Sequence, residues 1–232
     1  MPRQLHLTPD LVARVPPHDG QTGLVSTRTD RPTDDDYAAA VAAVRAGAPP
    51  SGGVFVFAYG SLIWNPEFDH DGESLATLPG WHRSFCLGWV RIYRGTPERP
   101  GIMLALDRGG SCRGVVFRLP DTAIDENLTR ILRREMPIKR DTLPCRWVTA
   151  RTDAGPVRAL AFPISRSSPA YLPDLTEDVV VDALATAAGE RGSMAEYLAS
   201  TVQHLMDRGI HDRYLWRMQA LVADRISTLY PA

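Results

Sequence analysis

The middle of the chain alternates short apolar runs with turn-forming residues, and the last third turns to helical spacing. Between residues 54 and 163 the apolar runs are strand-length and rich in Val, Ile, Phe and Trp. They predict strands at Val54–Ala58, Ser84–Arg94, Ile102–Asp107, Cys112–Leu119, Cys145–Arg151 and Val157–Pro163. The stretches "DRGGSCRG" and "RTDAGPVR" are turn-rich links between antiparallel neighbours. One helix interrupts them, from about Asp121 to Met136. Six short strands around a single helix predict a small closed or nearly closed barrel, and therefore an α+β fold.

On either side the pattern is helical. In "PTDDDYAAAVAAVRAG" acids occupy the first turn, alanines the body, and Gly47 the stop before Pro49 and Pro50. Residues 1–50 read as an N-terminal arm carrying this one helix, and residues 51–232 as the main domain. Near the C-terminus, Ser193 and Glu196 have capping-box spacing ahead of a helix stopped by Gly209, and a last helix runs from about His211 to Leu229. "TEDVVVDALATAA" predicts a further short helix.

Composition narrows the class of protein. With 232 residues, 44% hydrophobic and 23% charged, the chain has an ordinary globular balance. A net charge of -1 gives no footprint for nucleic acid or an anionic membrane. No apolar run approaches the roughly 18 residues of a spanning helix, and the N-terminus lacks the apolar segment of a secretory signal. Cys86, Cys112 and Cys145 are odd in number and widely spaced, which argues for a reducing compartment, the cytoplasm.

Two places carry candidate chemistry. Ile124, Leu128, Ile131 and Leu132 form one apolar stripe on the central helix, and at roughly 100° per residue Glu135 falls inside it. Arg130, Arg133 and Arg134 fall on other faces, where they can reach solvent. Either the last turn frays and Glu135 swings out or pairs with an arginine, or Glu135 is a partly desolvated carboxylate with a raised pKa, suited to moving protons. The second place is "FAYGS", where a buried strand ends in a turn. Gly60 there permits a positive φ and close approach of a ligand, and successive N–H groups beside a serine hydroxyl can hold a carboxylate. The alternative is a tight turn and nothing more.

Taken together, "FAYGSLIWNP", "HRSFCL", "RGTPERPG", "SCRGVVFRL", "LRREM" followed by "RWV", and "GIHDRYLWRMQALVADRI" resemble the ChaC branch of the γ-glutamylcyclotransferases in content and order, over roughly residues 54 to 229. The resemblance implies a compact mixed or antiparallel barrel with flanking helices. It also implies a lyase that cleaves γ-glutamyl compounds, glutathione above all, by cyclising the glutamyl group to 5-oxoproline. It places the substrate-binding loop on Tyr59, Gly60, Ser61 and Leu62, and the catalytic glutamate on Glu135. Neither metal nor organic cofactor is implied, and the partner is a small-molecule substrate. Two departures stand out: Ala58 where the family generally has glycine, and "PIKRDTLPC" where relatives carry a glycine-tyrosine turn.

Other signals weigh less. "DHDGE", Asp69 to Glu73, has no tight ligand spacing and reads as a solvated loop. His82 and Cys86 could form a nucleophile pair, but Cys86 lies in an apolar strand and reads as an inert thiol. His204 and His211 flank a helix junction, with His211-Asp212 a cap. Tyr197 reads as core or as a hydroxyl for the substrate. Arg94 and Glu98 read as a structured loop, with Arg94 able to attract a substrate carboxylate. The rival functions are a cyclotransferase for other γ-glutamyl peptides or amines, and a non-catalytic regulatory module partnering a cation transporter.

Overall fold

The structure, a computed structural model, describes residues 5–17, 31–50, 52–139 and 143–232. In chain order its elements are α1 (Pro9–Arg14), α2 (Asp34–Ala46), β1 (Phe55–Ala58), a 3₁₀ turn (Ser61–Ile63), β2 (Gly72–Val90), β3 (Gly101–Arg118), α3 (Ile124–Glu135), β4 (Arg146–Thr152), β5 (Gly155–Ala161), α4 (Glu177–Thr186), β6 (Ala188–Gly189), β7 (Gly192–Ser193), α5 (Met194–Asp207) and α6 (Arg213–Leu229). They fall into two units. One comprises Thr27–His82 and Leu106–Ser165 in their described parts, the other the described part of Met1–Ser26 with Arg83–Ala105 and Arg166–Ala232.

The first unit holds the closed barrel, in the order β1-β3-β2-β4-β5. The short β1 is antiparallel to β3, with Phe57 opposite Val116, and parallel to β5, with Val56 opposite Leu160. β4 and β5 form the hairpin expected from "RTDAGPVR", turning where Gly155 takes φ 117°. Alternate residues of these strands point inward, so Phe57, Leu78, Leu106, Val116, Val148 and Ala159 close the interior. On the outside, α2 packs against α3 through buried Tyr37, Val41 and Val44. Its start is a capping box: Asp36 N–H donates to Thr33 Oγ1 at 3.2 Å, and Thr33 N–H donates back to Asp36 Oδ2 at 2.9 Å. Two side chains tie α2 down, Tyr37 donating its hydroxyl proton to the Met136 carbonyl at 3.1 Å and Trp147 Nε1–H to the Val44 carbonyl at 3.1 Å.

Three expectations need correction. The barrel has five strands, because residues 102–107 and 112–119 belong to one continuous β3. Gly109 and Gly110, at φ 114° and 66°, bend that strand where they were expected to reverse it, and His82 Nδ1 lies 3.1 Å from the Gly109 carbonyl at the bend. β2 also starts twelve residues earlier than Ser84, at Gly72. Pro79 and Gly80 look like breakers but sit inside the strand, with Gly80 at φ 81° supplying a bend. Finally, residues 1–50 carry two helices among their described residues, α1 as well as α2.

The second unit is largely helical, with α4, α5 and α6 packed together and α1 laid on α5 and α6. The caps anticipated from the sequence are present. Ser193 Oγ accepts from Glu196 N–H at 3.1 Å at the start of α5. Gly209 at φ 66° closes that helix, with Ile210 N–H donating to the Leu205 carbonyl at 2.8 Å. Asp212 Oδ1 accepts from Tyr214 and Leu215 N–H at 3.1 Å each and opens α6, while its Oδ2 pairs with the buried Arg83 at 2.9 Å. Among the described residues no helix is long and apolar enough to cross a membrane.

Candidate active site

The site is built from the end of α3 and the turn that follows β1, both in the barrel unit. β1 delivers its last residue, Ala58, into the fully buried interior. Tyr59 follows, and its hydroxyl donates to the Phe162 carbonyl just past β5 at 3.0 Å. Because β1 and β5 run parallel, this bond pins the two strand ends side by side. The chain then enters the 3₁₀ turn, where Ile63 N–H bonds to the Gly60 carbonyl at 2.9 Å and Trp64 N–H to the Ser61 carbonyl at 3.2 Å. The turn consumes neither the Ser61 nor the Leu62 N–H, which are its first-turn donors. The Leu62 side chain is buried, so that residue can meet a ligand only through its backbone. Gly60 has φ -138° and ψ -129°, which corrects the expected positive φ. What remains of its expected role is the absence of a side chain at the turn.

Helix α3 presents two stripes. Leu128, Ile131 and Leu132 are fully buried, as their spacing predicts. Beside them runs a polar stripe, Asn127, Arg130 and Arg134, and each member holds the segment after the turn. Asn127, itself buried, accepts from Asp69 N–H at 2.8 Å through Oδ1. Arg130 pairs with the Asp69 carboxylate at 3.0 Å. Arg134 Nη2 donates to Ser61 Oγ at 2.7 Å, its Nη1 donates to the Asn65 carbonyl, and Nη1 stands 3.5 Å from Glu67 Oε1. The sequence placed Arg134 toward solvent. Its side chain is instead only 15% exposed, and it is the site residue that the periodicity missed.

Glu135 sits at the last residue of α3, its side chain 26% exposed and its Oε1 3.2 Å from Arg134 Nε. Desolvation pushes its carboxyl above the ordinary carboxylate value, and the nearby Glu67 adds to this, while the Arg134 guanidinium works the other way. The helix C-terminus, with its partial negative charge, also disfavours the ionised form. Ser61 and Glu135 are thus joined through one guanidinium. Such an arrangement can hold an anionic head on the turn and exchange a proton beside it.

The remaining candidates lie elsewhere. Asp69 and Asp71 of "DHDGE" are engaged by Arg130 and Arg118. Cys86 is buried within β2, and burial pushes the Cys145 thiol up to about 11, so that thiol stays protonated. In the helical unit, Arg94 donates to the Ser193 carbonyl at 2.9 Å and lies over the ring of the buried Tyr197 at 5.3 Å. His211 is exposed beside the Asp212 cap. Of the departing segment "PIKRDTLPC", residues 140–142 lie outside the described residues. A separate cleft of about 440 Å³ along β2, β4 and β5 is lined by Trp81, Arg146, Arg151 and Arg158 among others, and by neither Glu135 nor the turn.

Comparison with known proteins places the chain in a family. Residues 54–225 match the model of the ChaC-like protein family. The chain is 40% identical over 179 residues to the glutathione-specific γ-glutamylcyclotransferase of Escherichia coli (strain K12), covering 77% of this chain and 76% of that one. It is 28% identical over 183 residues to glutathione-specific γ-glutamylcyclotransferase 1 of Mus musculus, covering 77% and 80%. A crystal structure of a yeast γ-glutamyl cyclotransferase specific to glutathione shares the fold, with TM-score 0.65 at 20% identity over 75% of this chain and 97% of that one. The chain belongs to the ChaC-like protein family.

Proposed function

We propose that this protein is a glutathione-specific γ-glutamylcyclotransferase that works in the cytoplasm with Glu135 as its proton carrier. The observation that carries the reading is the placement of Glu135, a half-buried carboxylate linked through Arg134 to the Ser61 turn. The names and identities of its relatives supply the substrate class.

The α-amino nitrogen of the glutamyl group attacks its own γ-carbonyl carbon, so the reacting atoms already belong to one molecule and the enzyme has only to fold them together. The ionised Glu135 takes a proton from the α-ammonium and frees the nitrogen lone pair. As the five-membered ring closes, the γ-carbonyl oxygen gathers negative charge, for which the N–H groups of Ser61 and Leu62 are the candidate donors. When the tetrahedral centre collapses, the bond from the γ-carbon to the cysteine nitrogen breaks and Glu135 gives its proton to that nitrogen. The re-ionised Glu135 then takes the second proton of the ring nitrogen and passes it to the amine, which leaves as an ammonium. The products are 5-oxoproline and cysteinylglycine. A raised pKa suits both halves of the cycle, because the same group must accept and then donate near neutral pH.

The test is to incubate the protein with glutathione and a panel of γ-glutamyl dipeptides and amines, following 5-oxoproline by mass spectrometry. Glutathione is expected to give 5-oxoproline and cysteinylglycine faster than any other member. Faster release from a γ-glutamyl amine would replace glutathione as the substrate, and no turnover of any member would end the enzymatic reading.

A further inference from the structure

We infer that Arg134 is a positioning residue of the cyclisation, fixing the Ser61 hydroxyl and the Glu135 carboxylate in one geometry. The inference rests on the reading of Glu135 as proton carrier and deepens it.

A guanidinium has five N–H donors in a rigid fork and no acceptor. Its Nη2 stands 2.7 Å from Ser61 Oγ, so the serine oxygen must accept there and its own proton must point elsewhere. Ser61 is thereby made a donor with a fixed direction, as the carboxylate of a γ-glutamyl head requires. A second edge of the fork, Nε, holds Glu135 Oε1 at 3.2 Å. Nη1 holds the Asn65 carbonyl and faces Glu67, tying down the chain beyond the turn. One side chain thus contacts the turn, the segment after it and the carboxylate.

Among the described residues, the charged groups around Glu135 are few. Arg134 on its own helix and Glu67 from the loop act on it. On α2, Asp34 is paired with Arg133 at 2.8 Å and Asp36 with Lys139 at 2.7 Å, while Tyr37 spends its hydroxyl on Met136. Among the described residues, Arg134 is therefore the cation that favours the ionised form of Glu135.

Glutathione kinetics across pH, on Arg134→Gln, Arg134→Lys and Glu135→Gln with melting temperatures, tests this. Arg134→Gln is expected to lose at least about 10-fold in kcat/KM, with KM raised, because a small displacement of reacting groups is costly. The acid limb of its kcat/KM profile should move to higher pH, since a carboxylate deprived of its cation holds its proton more tightly. Arg134→Lys keeps the charge without the fork, so its KM should rise while its acid limb stays near that of the wild type. If Glu135→Gln is inactive but both Arg134 variants keep the wild-type KM and acid limb, with only a lower melting temperature, the positioning role is overturned and the proton carrier stands. Wild-type turnover in Glu135→Gln would overturn the underlying reading itself.

Discussion

Glu135 occupies a place that charge alone would avoid. It closes a helix whose C-terminal carbonyls are already partly negative, it is largely desolvated, and Glu67 faces it. A carboxyl whose folded pKa lies above its unfolded value adds stability while protonated. That contribution is full below about 4.5, the ordinary carboxylate value, and is lost as pH rises through the raised folded value. Glu135→Gln is isosteric and stays neutral at every pH, so its melting temperature relative to the wild type should climb between pH 4 and pH 8. Its activity should fall by roughly 10²–10⁴-fold, as expected for a lost general base. Thermal melts at several pH values and turnover on the same samples decide the matter; a destabilised but fully active variant would remove Glu135 from the chemistry. Much of this was legible beforehand, because Glu135 shares its angle with Leu128 and Ile131 and the end of a strand in Tyr-Gly-Ser marks the facing turn. Arg134 was not legible. A helical wheel gives the angle of a side chain but not what folds over it, and residues 61–69 cover the face that the wheel assigns to water.

At the scale of elements, α2 and α3 form one support. Tyr37 is buried, which pushes its hydroxyl pKa up and keeps it neutral, and it donates to the carbonyl of Met136 immediately after Glu135. Tyr37→Phe leaves the ring in place but removes that donor, at a cost of about 1–2 kcal/mol. In a chain of this length that corresponds to a drop in melting temperature of roughly 2–8 °C. An unchanged melting temperature would show that the bond adds nothing to the support. Most of the helices were predicted, because caps and stops are local: Ser193 and Asp212 start helices and Gly209 ends one as their types dictate, whereas the six-residue α1 was missed. The two long strands were not. Gly80, Gly109 and Gly110 carry the residue chemistry of turns, and only pairing with distant strands makes them bends inside β2 and β3.

At the scale of the molecule, sequence order and spatial order diverge most at the chain's beginning. His6 and Leu7 N–H both donate to Gln219 Oε1 at 2.9 Å, and both Leu7 and Gln219 are buried. The first residues therefore complete the helical unit from the far end of the sequence, which no local pattern announces. Deleting residues 1–8 should cost on the order of 3–5 kcal/mol, from the lost burial of Leu7 and a buried amide oxygen deprived of two donors. Denaturant titration of the shortened chain would register this as a lower midpoint, and an unaltered midpoint would show that the segment is dispensable. The two stripes of α3 have a different consequence, for how such a sequence can drift over time. The apolar stripe meets the demands of folding and the polar stripe holds the segment after β1, with no residue common to both. Selection on one therefore scarcely constrains the other. With the turn in the role proposed for it, a lineage could exchange Asn127, Arg130 and Arg134 together with the residues they grip, and so explore new γ-glutamyl substrates while keeping the same barrel.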